Sequence, residues 1–264
     1  MSSASPRASA CGPAAAAPPR VLIVQNTPTG GPDRLADWLE QAGARAEIAH
    51  PYAGGELPAS LGAYGALVVL GGPAMPDDDE AMPWLAAVRS LAREAVAAQV
   101  PYLGICLGGQ LLAQVTGGAV RARCGAPELG STRLTLRPEA ERDPLLHGLP
   151  GSVTAIERHV DRIVALPPGA VWLARSELCP YQAFRCGPSA WGTQFHPEVS
   201  AQRVRRWDAE SLRRDGVDRD ALVRAAERDE PAATPVWREV VHRFARLVRR
   251  PPVPSAASPE SVPS

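Results

Sequence analysis

The chain of 264 residues contains no lysine: all 28 of its basic residues are arginine, set against 28 acidic ones. With charge balanced, no global field draws the protein to nucleic acid or to an anionic membrane. Arginine in place of lysine, beside abundant Ala, Pro and Gly, reflects GC-rich coding and carries no mechanism. Long apolar runs are also missing. Nowhere do about 18 apolar residues follow one another, so no membrane-spanning helix is expected.

Cysteine is scarce, with five in all at irregular spacings. An odd, unpatterned set argues against a disulfide framework and makes a reducing cytoplasm the natural compartment. Cys124, Cys179 and Cys186 read as buried thiols acting as small hydrophobes. No histidine stands at zinc-ligand spacing from Cys179 and Cys186, and neither a metal nor a cofactor is implied. Residues 1–19 mix alanine with proline, lack a continuous apolar core and read as a disordered tail, not a signal peptide. Pro251–Ser264 reads as a second, Pro/Ser-rich disordered tail.

Between the tails the pattern is of alternating strands and helices. Val21–Val24, Ala46–His50, Ala66–Leu70 and Pro101–Ile105 are short strand-like runs. A helix is expected after Asp33, its candidate N-cap, with Leu35, Trp38 and Leu39 on one face and Gly43 as the stop. A second carries Leu85, Val88, Leu91, Ala92 and Ala95. This alternation predicts an α/β fold: a mostly parallel central sheet with helices on both faces. After Gly130 the texture changes to short strands over 132–137, 152–156, 171–174 and 181–184, a mixed or antiparallel extension of the sheet. Ala190–Phe195 returns as a strand ending at His196. Beyond 200 the chain is helical: Val204, Trp207 and Leu212 mark one helix, Trp237 to Leu247 a strongly periodic one. Their arginines read as a solvated face. No internal repeat is present.

Chemistry concentrates in three places. In Gly104–Ala113 an apolar strand runs into Cys106 and then at once into a glycine-rich helical pattern. That is the form of a nucleophile elbow, which lifts the side chain clear of the sheet. A thiolate there lies at a helix N-terminus, where backbone amides and the dipole favour it. In Gly192–Glu198, residues two apart in an extended segment share a side. His196 and Glu198 therefore meet, and the carboxylate can fix the imidazole tautomer. In Leu70–Pro73, two glycines after a strand leave backbone amides open to a ligand, as an oxyanion hole requires.

These three motifs, which follow one another along the chain as Leu70–Pro73, Gly104–Ala113 and Gly192–Glu198, resemble the class I (triad) glutamine amidotransferases. Pro83-Trp-Leu85, Glu128-Leu-Gly130, His159-Val-Asp161, Leu166-Pro-Pro-Gly-Ala170 and Gln182-Ala-Phe-Arg185 further resemble the free-standing, GMP-synthase-like members. The resemblance covers about residues 20–200 and implies a flavodoxin-like domain there; the helices over 201–250, longer than the motif set accounts for, are expected to pack on it. It also implies roles: Cys106 as nucleophile, His196 as base, Glu198 as its orienter, the Gly72 and Leu107 amides as oxyanion hole, Gln110 and His159 in substrate binding. One departure is Gly109, where relatives usually carry Ala or a larger residue. A second glycine should loosen the first helical turn by roughly 1 kcal/mol.

The implied reaction is attack of the Cys106 thiolate on the side-chain amide of glutamine, giving a γ-glutamyl thioester and ammonia, then hydrolysis to glutamate. The substrate is a small molecule, glutamine or a γ-glutamyl compound, and no nucleic-acid or membrane partner is expected. No P-loop and no acceptor domain are recognisable, so a synthase, if one takes the ammonia, is a separate chain. A stand-alone γ-glutamyl peptide hydrolase would look the same. A non-catalytic regulator that kept the fold is the third reading.

Overall fold

The computed structural model describes residues 17–248, so residues 1–16 and 249–264, with Cys11 and most of both expected tails, lie outside it. The elements run in the order β1 (Arg20–Val24), α1 (Arg34–Gln41), β2 (Arg45–Ala49), β3 (Ala66–Val69), α2 (Leu85–Ala97), β4 (Tyr102–Ile105), α3 (Leu107–Val115) and β5 (Ala119–Arg121). There follow β6 (Glu128–Leu136), β7 (Ser152–His159), β8 (Arg162–Ala165), β9 (Val171–Arg175), β10 (Ala183–Cys186), β11 (Ala190–Thr193), α4 (Ala201–Arg205), α5 (Ala209–Arg214) and α6 (Arg219–Leu247).

Nine strands form one sheet in the order β2-β1-β3-β4-β11-β10-β9-β6-β7. The first five are parallel, and from β10 outward every pairing is antiparallel. The last strand among the described residues, β11, thus occupies the middle of the sheet. Successive residues of β1 serve opposite faces, as the strand pleat demands. Val21 and Ile23 pack with Leu35, Trp38 and Leu39 of α1 and with Trp237, Val241 and Phe244 of α6. Leu22 and Val24 pack with Leu85, Val88 and Leu91 of α2 and with Leu107, Leu111 and Leu112 of α3. A third cluster, Ile156 with Val204, Trp207, Leu212 and Val223, fastens the C-terminal helices to β7.

Several details differ from expectation. Asp33 precedes α1 but makes no capping bond. Its carboxylate accepts instead from Ser200 N at 3.0 Å and Ser200 Oγ at 3.1 Å, a long-range tie that outcompetes the cap. The one helix expected across Val204–Leu212 is two, α4 and α5. The break falls at Asp208, whose carboxylate caps α5 by accepting from Glu210 N and Ser211 N. Conversely, α6 is longer than its periodic stretch and runs through Pro231 and Pro235. Both prolines are exposed and lie one turn apart, so the carbonyls that lose a donor face water. β5 and β8, a separate small antiparallel pair, carried too few residues to be read, and β10 sits two residues later than expected.

Candidate active site

β4 delivers the chain to Cys106, which takes φ +51°, ψ −106°, and α3 begins at the next residue. This positive φ on a non-glycine residue is strain held by its surroundings. Cys106 N donates to Thr193 O at 2.8 Å, and Gln110 N to Cys106 O at 2.9 Å. The elbow has no room for side chains at its glycines. A Cβ on Gly108 would run into the carbonyl oxygen of Val69, and one on Gly109 into that of Thr193. The expected slackness at Gly109 is therefore absent: the helix backbone is pressed against β11, and glycine is what permits the approach.

His196 enters from the end of β11. Its N–H donates to Ile156 O at 2.8 Å, bridging the chain to β7. The imidazole Nδ1 lies 2.8 Å from Glu198 Oε1. The two side chains meet as expected, although Pro197 and Glu198 form a turn and not an extended segment. The turn folds the carboxylate back beneath the ring. A Cβ on Gly71 would sit 2.9 Å from His196 Cε1, 3.6 Å from Nε2 and 3.5 Å from Cys106 Cβ. Imidazole and cysteine thus close on the same bare stretch of backbone. Burial alone would lower the His196 pKa, but the Glu198 charge, with hydrogen bonding to Cys106 and Glu198, holds it well above the usual imidazole value.

Cys106 opens onto a cleft of about 610 Å³ that Gly72, Gln110, Arg158, His159, Asp208 and Leu212 also line. Gln110 is buried, and its amide donates to Asp161 O at 3.0 Å and to Gln194 Oε1 at 3.3 Å, leaving its own Oε1 uncommitted. Both ring nitrogens of His159 are engaged, Nδ1 with Asp161 O and Nε2 with Glu128 Oε2, each at 3.1 Å. Glu157, fully buried, lies 3.3 Å from the same Nε2. Burial alone would lower the His159 pKa, but these two carboxylates push it up to about 9. Burial in turn pushes Glu157 up to about 6. Glu128, His159 and Cys179 bring donor atoms within 4.8 Å of one another. Those atoms are already used. Glu128 accepts from His159, Ser176 and Gln182, and burial pushes the Cys179 thiol up to about 12. The set is a hydrogen-bond network before it is a ligand set.

Sequence reasoning missed four contributors. Gln194 Nε2 lies 3.8 Å from Cys106 Sγ, a position that the two-residue spacing to His196 could have flagged. Glu157 lies two residues before His159 on β7, the same kind of signal. Gly71, not only Gly72, is excluded from bearing a side chain. Arg34 had no local signal at all: its guanidinium donates to Val199 O at 2.8 Å, behind the turn that carries Glu198.

The family model for glutamine amidotransferase class-I matches residues 34–209. Over 152 residues the chain is 37% identical to the glutamine-hydrolysing GMP synthase of Porphyromonas gingivalis, covering 57% of this chain and 28% of that protein. Over 101 residues it is 46% identical to one of the subunits of glutamine-hydrolysing GMP synthase in Sulfolobus acidocaldarius, covering 38% of this chain and 52% of that one. The chain thus spans about half or less of these relatives. A solved glutamine amidotransferase structure from Thermotoga maritima superposes with a TM-score of 0.78 at 27% identity, covering 86% of this chain and 98% of that one. No helix among the described residues is long and apolar enough to cross a membrane. With a cysteine elbow after the fourth strand, a histidine and glutamate after the last, and a matching family model over two thirds of its length, this chain belongs to the class I glutamine amidotransferases.

Proposed function

We propose that the protein hydrolyses the side-chain amide of glutamine through a γ-glutamyl thioester on Cys106, releasing ammonia and glutamate. The observation that carries this reading is the 2.8 Å His196–Glu198 contact beside a cysteine held at positive φ at a helix N-terminus. Cys106 attacks the amide carbon, and the developing oxyanion takes the N–H groups of Gly72 and Leu107. In support, neither amide donates to an acceptor among the described residues. His196 passes its proton to the leaving ammonia and then deprotonates the water that cleaves the thioester. Glu198 holds the tautomer. Gln110 offers Oε1 to the substrate, and His159 lines the cleft with its ring.

The ammonia passes to an acceptor enzyme on a separate chain, in line with the Sulfolobus relative being named as one part of a divided GMP synthase. Docking of that partner orders the loops around Gly72 and His159 and raises turnover. The compartment belongs to the same proposal: five cysteines, odd in number and irregularly spaced, suit a reducing cytoplasm. A second reading has one observation in its favour: a cleft of about 610 Å³ is of the size that suits a drug-sized ligand, larger than glutamine. A γ-glutamyl peptide hydrolase would use the same residues with water alone. Glutamate release by the purified chain, measured on glutamine and on a panel of γ-glutamyl peptides, separates the two. Low activity on glutamine that rises when a synthase is added is the expected result. Fast, partner-free hydrolysis of a peptide but not of glutamine would overturn the amidotransferase reading.

A further inference from the structure

Arg158 stands out among the arginines of this chain. It points into the cleft that Cys106 opens onto, one residue before His159 on β7. Its guanidinium lies 4.9 Å over the ring of Trp207, which is itself buried. Among the described residues it enters no ion pair within 4.0 Å. Arg158 is exposed on β7, while the protein packed around its guanidinium pulls its pKa down, opposed by the charges of Asp208 and Cys106. An exposed arginine laid over a buried indole and left without a carboxylate is set to receive one.

Asp208 lines the same cleft from the other wall. Its Oδ1 caps α5 through Glu210 N and Ser211 N, while Oδ2 accepts from no group among the described residues. The wall is fixed, because Trp207 and Leu212 on either side of the cap pack into the cluster around Ile156. Cation and anion therefore line the same cavity that Cys106 opens onto.

We infer that Arg158 and Asp208 form a clamp for the amino-acid head of the substrate, Arg158 taking the α-carboxylate and Asp208 the α-ammonium of a γ-glutamyl group. This rests on the γ-glutamyl reading of the Cys106 site and adds to it the residues that select the head. The head is common to glutamine and to γ-glutamyl peptides, so the clamp serves either leaving group. It also assigns a role to the chain beyond His196: the Trp207–Asp208 break between two short helices completes the substrate site.

The test is calorimetric binding to the inert Cys106→Ala protein with three probes: L-glutamine, glutaramate, which lacks the α-amine, and 4-aminobutanamide, which lacks the α-carboxylate. Arg158→Ala should weaken glutamine about 10- to 100-fold, as loss of a charge-assisted pair implies, and leave 4-aminobutanamide unchanged. Asp208→Asn, which keeps a good cap, should weaken glutamine and leave glutaramate unchanged. Equal weakening of all three probes by Arg158→Ala would mean a structural role and overturn the clamp. So would an unchanged glutamine affinity in either variant, or no binding of any probe. Glutamate release by the wild-type chain reports separately on the catalytic reading: turnover with flat variants removes the clamp alone.

Discussion

Arg34, the first residue of α1, and Glu230, on the long C-terminal helix, meet at 2.8 Å directly behind the turn that carries Glu198. The same guanidinium donates to Val199 O, and Glu230 accepts from Ala201 N at 3.0 Å. One ion pair therefore pins both ends of the Glu198–Ala201 segment. Arg34→Ala should cost about 1–3 kcal/mol, since it strands partly buried acceptors, and should lower turnover by displacing Glu198. Thermal melts and glutamate release give the two readouts. A double-mutant cycle with Glu230→Gln should return a coupling of roughly 0.5–3 kcal/mol, and additivity would mean that the pair does not act as one clamp.

Glu198→Gln should leave the fold intact and reduce turnover by about 10²–10⁴-fold, because the amide no longer fixes the His196 tautomer. Cys106→Ala should do at least as much. A diazo-ketone glutamine analogue should label Cys106 once per chain, read by mass spectrometry. Labelling at Cys124, Cys179 or Cys186 with Cys106 untouched would remove the basis of the mechanism.

Gly109 sets helix propensity against packing. On propensity alone, Gly109→Ala should stabilise α3 by about 1 kcal/mol. The added Cβ would, however, run into the carbonyl of Thr193. Overpacking of this kind typically costs about 1–3 kcal/mol, so the variant should melt lower than wild type, and its activity should fall as α3 is pushed off β11. A higher melting temperature would show that the two backbones can part at little cost.

Above pH 6.5, where Glu128 with its lowered pKa is fully ionised, the buried His159–Glu157–Glu128 group makes stability depend on pH with a definite sign. His159, held up to about 9 against an ordinary value of 6.5, binds its proton more tightly in the fold. Its contribution is complete below pH 6.5 and is lost as pH rises through about 9. Glu157, raised from 4.5 to about 6, loses its contribution over that lower interval as pH rises. The melting temperature should therefore decline by several degrees towards pH 9. His196, also raised, acts with the same sign, so the readout is the difference between wild type and His159→Gln, which should flatten the limb between 6.5 and 9.

What the sequence made legible is what local pattern encodes. Strands β1 to β4 announce themselves as apolar runs, and Cys106 as a residue between a strand and a glycine-led helix. The meeting of His196 and Glu198 followed from their spacing, although the backbone achieves it with a turn. Features decided across the fold had no such signature. Asp33 reads as a cap but commits its carboxylate to Ser200, far along the chain. Nothing near Arg34 points to Val199, and nothing near Gly109 reveals that Thr193 will lie against it. Pro231 and Pro235 look like breakers, yet their exposed placement lets α6 continue.

The position of β11 bears on how this protein comes into being. The last strand in sequence among the described residues is the one that joins the parallel half of the sheet to the antiparallel half, pairing with β4 on one side and β10 on the other. Until it inserts, the two halves have no common edge, and Cys106 has neither the Thr193 carbonyl nor the imidazole beside it. The chain between β4 and β11 must close as one long loop, a step that slows folding more than it weakens the folded state. On refolding, helical signal should return well before glutamate release does, and during synthesis no activity can precede the emergence of the final strand. The candidate site is, in effect, a seal that closes last.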